Sequence, residues 1–182
     1  RAGAADAHGR RPSPLAALAA AAAVALGAAA TSASAAPAAP AAAASTVTLN
    51  WVEKVSRDQA TKLTLRFVDL TTGTGKWSVR VEIANTGSGA VRIARTQFGL
   101  AEFDTKENFT QPTGVLRASS LIPAPPATLA PGAVWKGLIG GKGTPDERQF
   151  VRVVLGPFSS ASSPQAFTWI SDHARHVFAI KI

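Results

Sequence analysis

The chain has 182 residues, with 19 Lys or Arg and 11 Asp or Glu, and a formal net charge of +8 at pH 7. It contains no cysteine and no methionine, which excludes disulfides, thiol catalysis, thiolate metal sites and copper transport through methionine thioethers. The basic residues are dispersed rather than clustered, so the composition does not indicate nucleic-acid binding. It favours a general attraction to anionic surfaces.

The first 35 residues predict a secretory signal peptide. Arg10 and Arg11 precede an apolar run from Leu15 to Ala30, and Ala33-Ser34-Ala35 provides the small residues that a signal peptidase requires. The apolar run is shorter than the ~20 residues of a spanning helix, so we expect cleavage and no membrane span afterwards. Cleavage would remove three arginines and one aspartate, which lowers the net charge to +6. The sequence therefore predicts a secreted, periplasmic or cell-surface protein, by an export route that stays open.

Residues 36–44 contain only alanine and proline. Such a segment has no side chain that could build a core, and it predicts a disordered or polyproline-like spacer. The folded part is then residues 45–182, which by length form one domain.

Alternation of apolar and polar residues dominates this domain. Between residues 77 and 84 the apolar side chains are Trp77, Val79, Val81 and Ile83, and Ser78, Arg80, Glu82 and Ala84 stand between them. This period of two predicts a strand with one dry and one wet face. Further strands are predicted at 47–51, 63–67, 91–100, 115–122, 134–139, 150–155, 168–170 and 177–182.

Turn residues separate these segments at short intervals. Thr71–Gly75 divides the second predicted strand from the third. Asn85–Gly89 predicts a hairpin turn that uses a positive φ angle, and Ala130–Ala133 predicts a type II turn with Pro131 and Gly132 at its centre. Residues 104–114 and 123–126 are expected to be loops. The pattern predicts an all-β, antiparallel sandwich of seven to nine strands.

Two stretches carry a resemblance to a known family. Residues 77–87 (WSVRVEIANTG) form a strand that ends in Asn-x-Gly, and residues 129–137 (LAPGAVWKG) form a Leu-x-Pro-Gly turn that enters a strand. Together they resemble the immunoglobulin-like extracellular domains of bacterial secreted antigens and lipoproteins of unknown function. The resemblance implies an immunoglobulin-like sandwich over residues 45–182 and a binding or surface role. It implies no catalytic residue and no cofactor.

Catalytic chemistry has little support in the sequence. Asp172, His173 and His176 are candidate ligands for a transition metal, but residues three apart on a strand point to opposite faces, so an ordinary polar loop is the expectation and no metal site is predicted. There is no Gly-x-Ser-x-Gly motif, and residues 159–163 indicate a flexible serine-rich loop rather than a catalytic serine. We therefore predict no catalytic residues and no cofactor.

Four residues are candidates for binding. Arg80 and Arg92 are expected on paired strands, with Arg95 continuing the second strand, so that they form a basic stripe for an acidic partner. Cross-strand Arg–Glu pairing, which keeps the face that Arg80 shares with Glu82 soluble, is the alternative. Trp169 is expected to be exposed and able to stack on a sugar or an apolar partner, whereas Trp51, Trp77 and Trp135 are expected in the core.

The sequence thus predicts an exported, non-enzymatic binding or surface protein of the cell envelope. Its expected partner is an envelope protein or an anionic cell-wall polymer. One alternative is a structural or accessory subunit of an envelope assembly, which would use the terminal strand 177–182 or the arm 36–44 for strand addition. The other is a small metal-binding protein or hydrolase that uses Asp172, His173 and His176.

Overall fold

The computed structural model of the protein describes residues 44–177. The predicted signal peptide, the spacer up to residue 43 and the last five residues of the predicted terminal strand lie outside this range. Between residues 44 and 177 the chain forms twelve β-strands and no α-helix, so the predicted all-β class is confirmed. No helix long and apolar enough to cross a membrane occurs in this part of the chain.

The strands form two antiparallel sheets. In chain order they are β1 (Ser45–Ser56), β2 (Lys62–Gly73), β3 (Lys76–Asn85), β4 (Val91–Ile93), β5 (Gly99–Phe103), β6 (Gly114–Arg117), β7 (Ser120–Ile122), β8 (Thr128–Leu129), β9 (Val134–Lys142), β10 (Phe150–Ser160), β11 (Phe167–Ile170) and β12 (Arg175–His176). The five-stranded sheet has the order β1-β2-β3-β9-β7. The seven-stranded sheet has the order β6-β5-β10-β4-β8, and β11 and β12 also pair with β10.

Strand β3 shows how the alternating sequence places the two faces. Val79, Val81 and Ile83 are fully buried, whereas the side chain of Arg80 is 63% exposed. β3 lies in the middle of its sheet, between β2 and β9, so its dry face must point into the core and its wet face to solvent. The prediction for this strand is confirmed.

The core lies between the two sheets and joins them. Phe67 and Val81 from the five-stranded sheet belong to the same cluster of buried side chains as Leu100, Leu155 and Phe158 from the seven-stranded sheet. The arrangement is a β-sandwich, in which the inner faces of the sheets pack against each other. Because the chain has no cysteine, burial of apolar surface takes the place of a covalent link.

The strand count differs from the predicted seven to nine. Four strands of the described chain (β4, β7, β8 and β12) have only two or three residues, too few to show a period of two. The predicted strand 91–100 is divided into β4 and β5. The predicted strand 115–122 is divided into β6, which pairs with β5, and β7, which pairs with β9 of the other sheet.

The prediction of a hairpin turn at Asn85–Gly89 is wrong. β3 ends at Asn85 in the five-stranded sheet and β4 belongs to the other sheet, so this segment crosses between sheets. The buried Asn85 amide donates to the carbonyl oxygens of Gly89 at 2.8 Å and Leu129 at 2.9 Å. Gly87 is needed for close approach, since a Cβ there would lie 2.1 Å from the Ala60 carbonyl oxygen.

The turn after β2 is shorter than the predicted segment Thr71–Gly75, because β2 extends to Gly73, and the turn 130–133 agrees with the sequence. β2 and β3 pair up to Gly73 and Lys76, and Gly75 between them has a φ of 69°. In the turn 130–133, Gly132 has a φ of 75° and the Ala133 amide donates to the Ala130 carbonyl oxygen at 3.0 Å. These geometries are those of a two-residue hairpin and a type II turn.

The sandwich predicts a sharp difference between two leucines. Leu65 is fully buried between the sheets, and Leu138 is 39% exposed on the outer face of β9. We expect Leu65→Ala to lower the free energy of unfolding by about 2–5 kcal/mol because it leaves a cavity. Leu138→Ala should lower it by less than about 1 kcal/mol. Urea denaturation followed by tryptophan fluorescence measures both, and equal losses would contradict the assignment of inner and outer faces.

Candidate functional site

A buried carboxylate lies where the edge strands of the two sheets meet. Glu53 is on the inner face of β1, at the edge of the five-stranded sheet, and is 4% exposed. Its Oε2 accepts a hydrogen bond from the Trp169 indole at 2.6 Å. Its Oε1 accepts hydrogen bonds from the Ser171 hydroxyl at 2.5 Å and from His173 Nδ1 at 2.8 Å. We call Glu53, Trp169, Ser171 and His173 the Glu53 cluster.

The surroundings of Glu53 favour its ionised form. Burial alone raises the pKa of the carboxyl group, but the hydrogen bonds from Ser171, Trp169 and His173 outweigh burial and hold the pKa of Glu53 below its ordinary value. The carboxylate is therefore ionised at neutral pH and can only accept hydrogen bonds.

His173 is oriented by this carboxylate. Since an ionised Glu53 cannot donate, Nδ1 of His173 must carry the hydrogen that the two groups share. The imidazole ring stacks on Trp51, with centroids 5.4 Å apart and an angle of 17° between the planes. The His173 side chain is 49% exposed, so the histidine closes the cluster from the solvent side.

The cluster contains residue types of a catalytic triad but not its arrangement. In a triad, the imidazole nitrogen remote from the carboxylate faces the serine hydroxyl and takes its proton. Here the Ser171 hydroxyl and His173 Nδ1 both bond to the same oxygen, Glu53 Oε1. The hydroxyl is hydrogen-bonded to the acid rather than to the base, so the geometry favours holding the segment 169–173 in place.

A buried arginine holds the same segment from the other side. Arg152, on β10, is 1% exposed, and its Nη1 donates to the Ser171 carbonyl oxygen at 2.7 Å. Its Nη2 donates to the Lys106 carbonyl oxygen, and its guanidinium carbon lies 3.7 Å from the centre of the Phe109 ring. Burial lowers the pKa of Arg152. Loop 104–113 is thereby fixed over the outer face of the seven-stranded sheet.

The three predicted metal-ligand candidates are not brought together. His173 bonds to Glu53, Asp172 is exposed, and the His176 ring packs edge-on against Phe150 with centroids 4.7 Å apart. Across residues 44–177 there is no group of three or more His, Cys, Asp or Glu side chains that could hold a metal ion. The hydrolase and metal alternative gains no support from this geometry.

The predicted basic stripe is wrong. Arg80 lies on β3 of the five-stranded sheet, but Arg92 lies on β4, which pairs with β8 and β10 of the other sheet. Arg95 is exposed in the turn that follows β4. The cross-strand pairing of opposite charges on this face is present, but not as Arg–Glu pairs: Arg80 contacts Asp69 of β2 at 3.6 Å, and Glu82 contacts Lys136 of β9 at 3.2 Å. A binding role for these arginines stays a prediction.

Of the four tryptophans, Trp169 departs from the prediction. Trp169 is half-buried and its indole N–H is bonded to Glu53, so it is not the free stacking surface that was expected. Trp77 and Trp135 are buried and Trp51 packs against the core, as expected. The serine-rich stretch also differs, because Ser160 is buried in β10 and its hydroxyl lies 2.6 Å from the Thr61 hydroxyl.

An open groove of about 590 Å³ crosses the outer face of the five-stranded sheet. We call it the outer-face groove. Its floor is low because the outward positions of neighbouring strands carry small residues, among them Gly73, Ser78 and Gly140. Lys76 and Lys142 stand at one end, and Leu138 lines the other part. This volume falls in the range of small-ligand sites.

Neither the outer-face groove nor the Glu53 cluster was predicted from the sequence. The groove depends on which strands become neighbours in the sheet, and local periodicity does not determine the order of the strands. Small residues at the outward positions of β3 and β9 were the available signal for it. For the Glu53 cluster, the signal was a glutamate at an inward position of the alternating pattern of β1.

Comparisons with known proteins add little. No family model matches the chain, and no curated protein matches it. One similar solved structure is described as "X-ray structure of Northeast Structural Genomics Consortium target SoR45"; it is 16% identical, with 70% of this chain and 78% of that chain covered and a TM-score of 0.32. At that TM-score the likeness assigns no function.

The Glu53 cluster predicts a specific loss of stability on removal of one oxygen. Glu53→Gln preserves the size of the side chain, but it replaces one acceptor oxygen by an NH2 group, which then faces a donor: the Trp169 indole in one amide orientation, Ser171 and His173 in the other. We expect the free energy of unfolding at pH 7 to fall by about 1–3 kcal/mol, because a buried donor loses its acceptor. Glu82→Gln is the matched control on the outer face and should cost less than about 1 kcal/mol. Equal losses in urea denaturation would refute the role given to Glu53.

The pKa of Glu53 also predicts a pH dependence. Because the folded-state pKa lies below the ordinary value, ionised Glu53 stabilises the fold at pH values above ~4.3, the ordinary pKa of glutamate. This contribution is lost as the pH falls from that value through the lowered pKa. The difference in stability between the wild-type protein and Glu53→Gln should therefore narrow over this acid range. Urea titrations at successive pH values measure it, and a constant difference would be the contrary result.

Proposed function

We propose that this chain is an exported, non-enzymatic binding protein of the cell envelope, built on an immunoglobulin-like sandwich. The observation that carries the proposal is the outer-face groove, which is open to solvent on a sheet whose inner face is buried. A rigid sheet that presents a shaped surface is well suited to recognition. No comparison with known proteins contributes to the proposal.

The sequence supports export. A basic start, an apolar stretch and a small-residue cleavage motif precede the folded domain. The net charge of +6 after cleavage suits contact with anionic polymers outside the membrane. A location that is secreted, periplasmic or on the cell surface is part of the proposal.

The geometry of the polar clusters supports binding over catalysis. Glu53, Ser171 and His173 have the residue types of a hydrolase, but their hydrogen bonds converge on one carboxylate oxygen. Arg152 bonds to two main-chain carbonyl groups and lies under Phe109. These groups stabilise loops. The cationic end of the outer-face groove, at Lys76 and Lys142, faces solvent instead.

The partner that we propose is an anionic component of the envelope, either a cell-wall polymer or an acidic envelope protein. Unpaired lysines on a solvent-facing sheet attract anions over about a Debye length, ~8–10 Å at physiological salt. An association of this kind must weaken as the salt concentration rises.

Two measurements test the proposal. When the full chain is produced in a bacterium that exports it, the mature protein should begin at Ala36, as read by N-terminal sequencing. The mature protein should co-sediment with isolated envelopes at low salt and be released at high salt. An uncleaved protein that stays in the cytoplasm would contradict export. Purified protein that remains in the supernatant at low salt would contradict envelope binding.

A further inference from the structure

Two lysines of the outer-face groove form a pair of like charges. Lys76 on β3 and Lys142 on β9 are directly opposite each other in the register of the sheet, and both are exposed on the same face. Within residues 44–177 neither lysine is within ion-pair distance of a carboxylate. Like charges in directly opposed positions destabilise a sheet, so an anion placed between them would relieve their repulsion.

The rest of the groove is uncharged and largely apolar. From Lys142, strand β9 continues along the outer face through Gly140 to Leu138. A Cβ at Gly140 would lie 3.1 Å from the Trp77 carbonyl oxygen and 3.2 Å from the Ser120 hydroxyl, so glycine maintains the depth of the floor. No acidic residue lines the groove. The lining therefore favours a ligand with an apolar body.

The apolar surface continues beyond the groove. Ile122, on the edge strand β7, is paired with Leu138, and the two side chains are 64% and 39% exposed. Large apolar side chains that are exposed at adjacent positions of a sheet indicate a contact surface. Leu138 is four residues from Lys142 along β9, about 13 Å at ~3.3 Å per residue.

We propose that the outer-face groove binds a single-chain amphipathic anion, with its carboxylate between Lys76 and Lys142 and its alkyl chain directed along β9 towards Leu138 and Ile122. The inference rests on the proposed binding function: charge attracts the envelope partner, and the groove itself takes this smaller ligand. A flat anionic membrane surface fits less well, because the charges lie at one end of a trough and the apolar residues lie along it.

The test uses dodecanoate, below its micelle concentration, titrated into the mature protein by calorimetry. We expect saturable one-to-one binding that Lys76→Gln with Lys142→Gln weakens at least tenfold. The matched control, Arg92→Gln with Arg95→Gln, removes the same charge from the other sheet and should change the affinity less than twofold. Ser78→Leu fills the floor of the groove without altering charge and should also weaken binding at least tenfold.

Ligand variation separates the two halves of the site. Acetate, which has the head group alone, should show no measurable binding, and dodecyltrimethylammonium, which has the opposite charge, should bind at least tenfold more weakly than dodecanoate. Circular dichroism of each variant verifies that the fold is intact. If both double variants weaken the binding of dodecanoate equally, or if dodecyltrimethylammonium binds as tightly as dodecanoate, the proposed site is wrong.

Two other occupants would also overturn the proposal. Binding to phosphatidylglycerol vesicles without binding to monomeric dodecanoate would assign the face to a lipid surface. A dimer that forms with rising concentration and is lost in Leu138→Glu would assign it to a second copy of the chain. Export and salt-dependent envelope binding are measured independently. The proposed function therefore survives a failure of the dodecanoate test.

Discussion

The ionised Glu53 carboxylate is the interaction on which the open side of this sandwich depends. A two-sheet fold without a disulfide has to close the gap between its edge strands by noncovalent means. β1 does this by directing a carboxylate inward, where Trp169 of β11 and Ser171 and His173 of the segment after β11 satisfy it. A charge so deeply buried is tolerated only when it is fully hydrogen-bonded. The same inward charge makes an edge strand a poor template for pairing with another chain.

Ser171 connects this carboxylate to a second buried charge. Its hydroxyl bonds to Glu53, and its carbonyl oxygen accepts from Arg152. Through Arg152 the connection extends to Lys106 and Phe109 in the loop that covers the seven-stranded sheet. One residue therefore couples the edge of one sheet to the outer covering of the other. Arg152 Nε has no hydrogen-bond partner among the described residues, so the two bonds from its Nη atoms carry this connection.

The features that were predicted correctly from the sequence are those that depend on local periodicity. β3 shows this best, because its four apolar residues and its wet face with Arg80 follow from alternation alone, and Gly75 and Gly132 occupy the turns that their conformational freedom suits. The order of the strands could not be predicted from the sequence. The segment between Arg80 and Arg92 resembles a hairpin turn in sequence, but the hydrogen bonds of buried Asn85 hold it as a crossing between the two sheets. The outer-face groove and the Glu53 cluster each combine residues distant in the chain, so their geometry could not be read from local patterns.

The position of Arg152 makes the two outer faces of the molecule unequal. On the seven-stranded sheet, loop 104–113 fills the space above β10, and the guanidinium group is enclosed between the loop and the strand. On the five-stranded sheet no corresponding loop covers β3 and β9 within residues 44–177. A partner that lies flat on the molecule would therefore reach the strands directly on the five-stranded sheet, whereas over β10 it would meet loop 104–113 first.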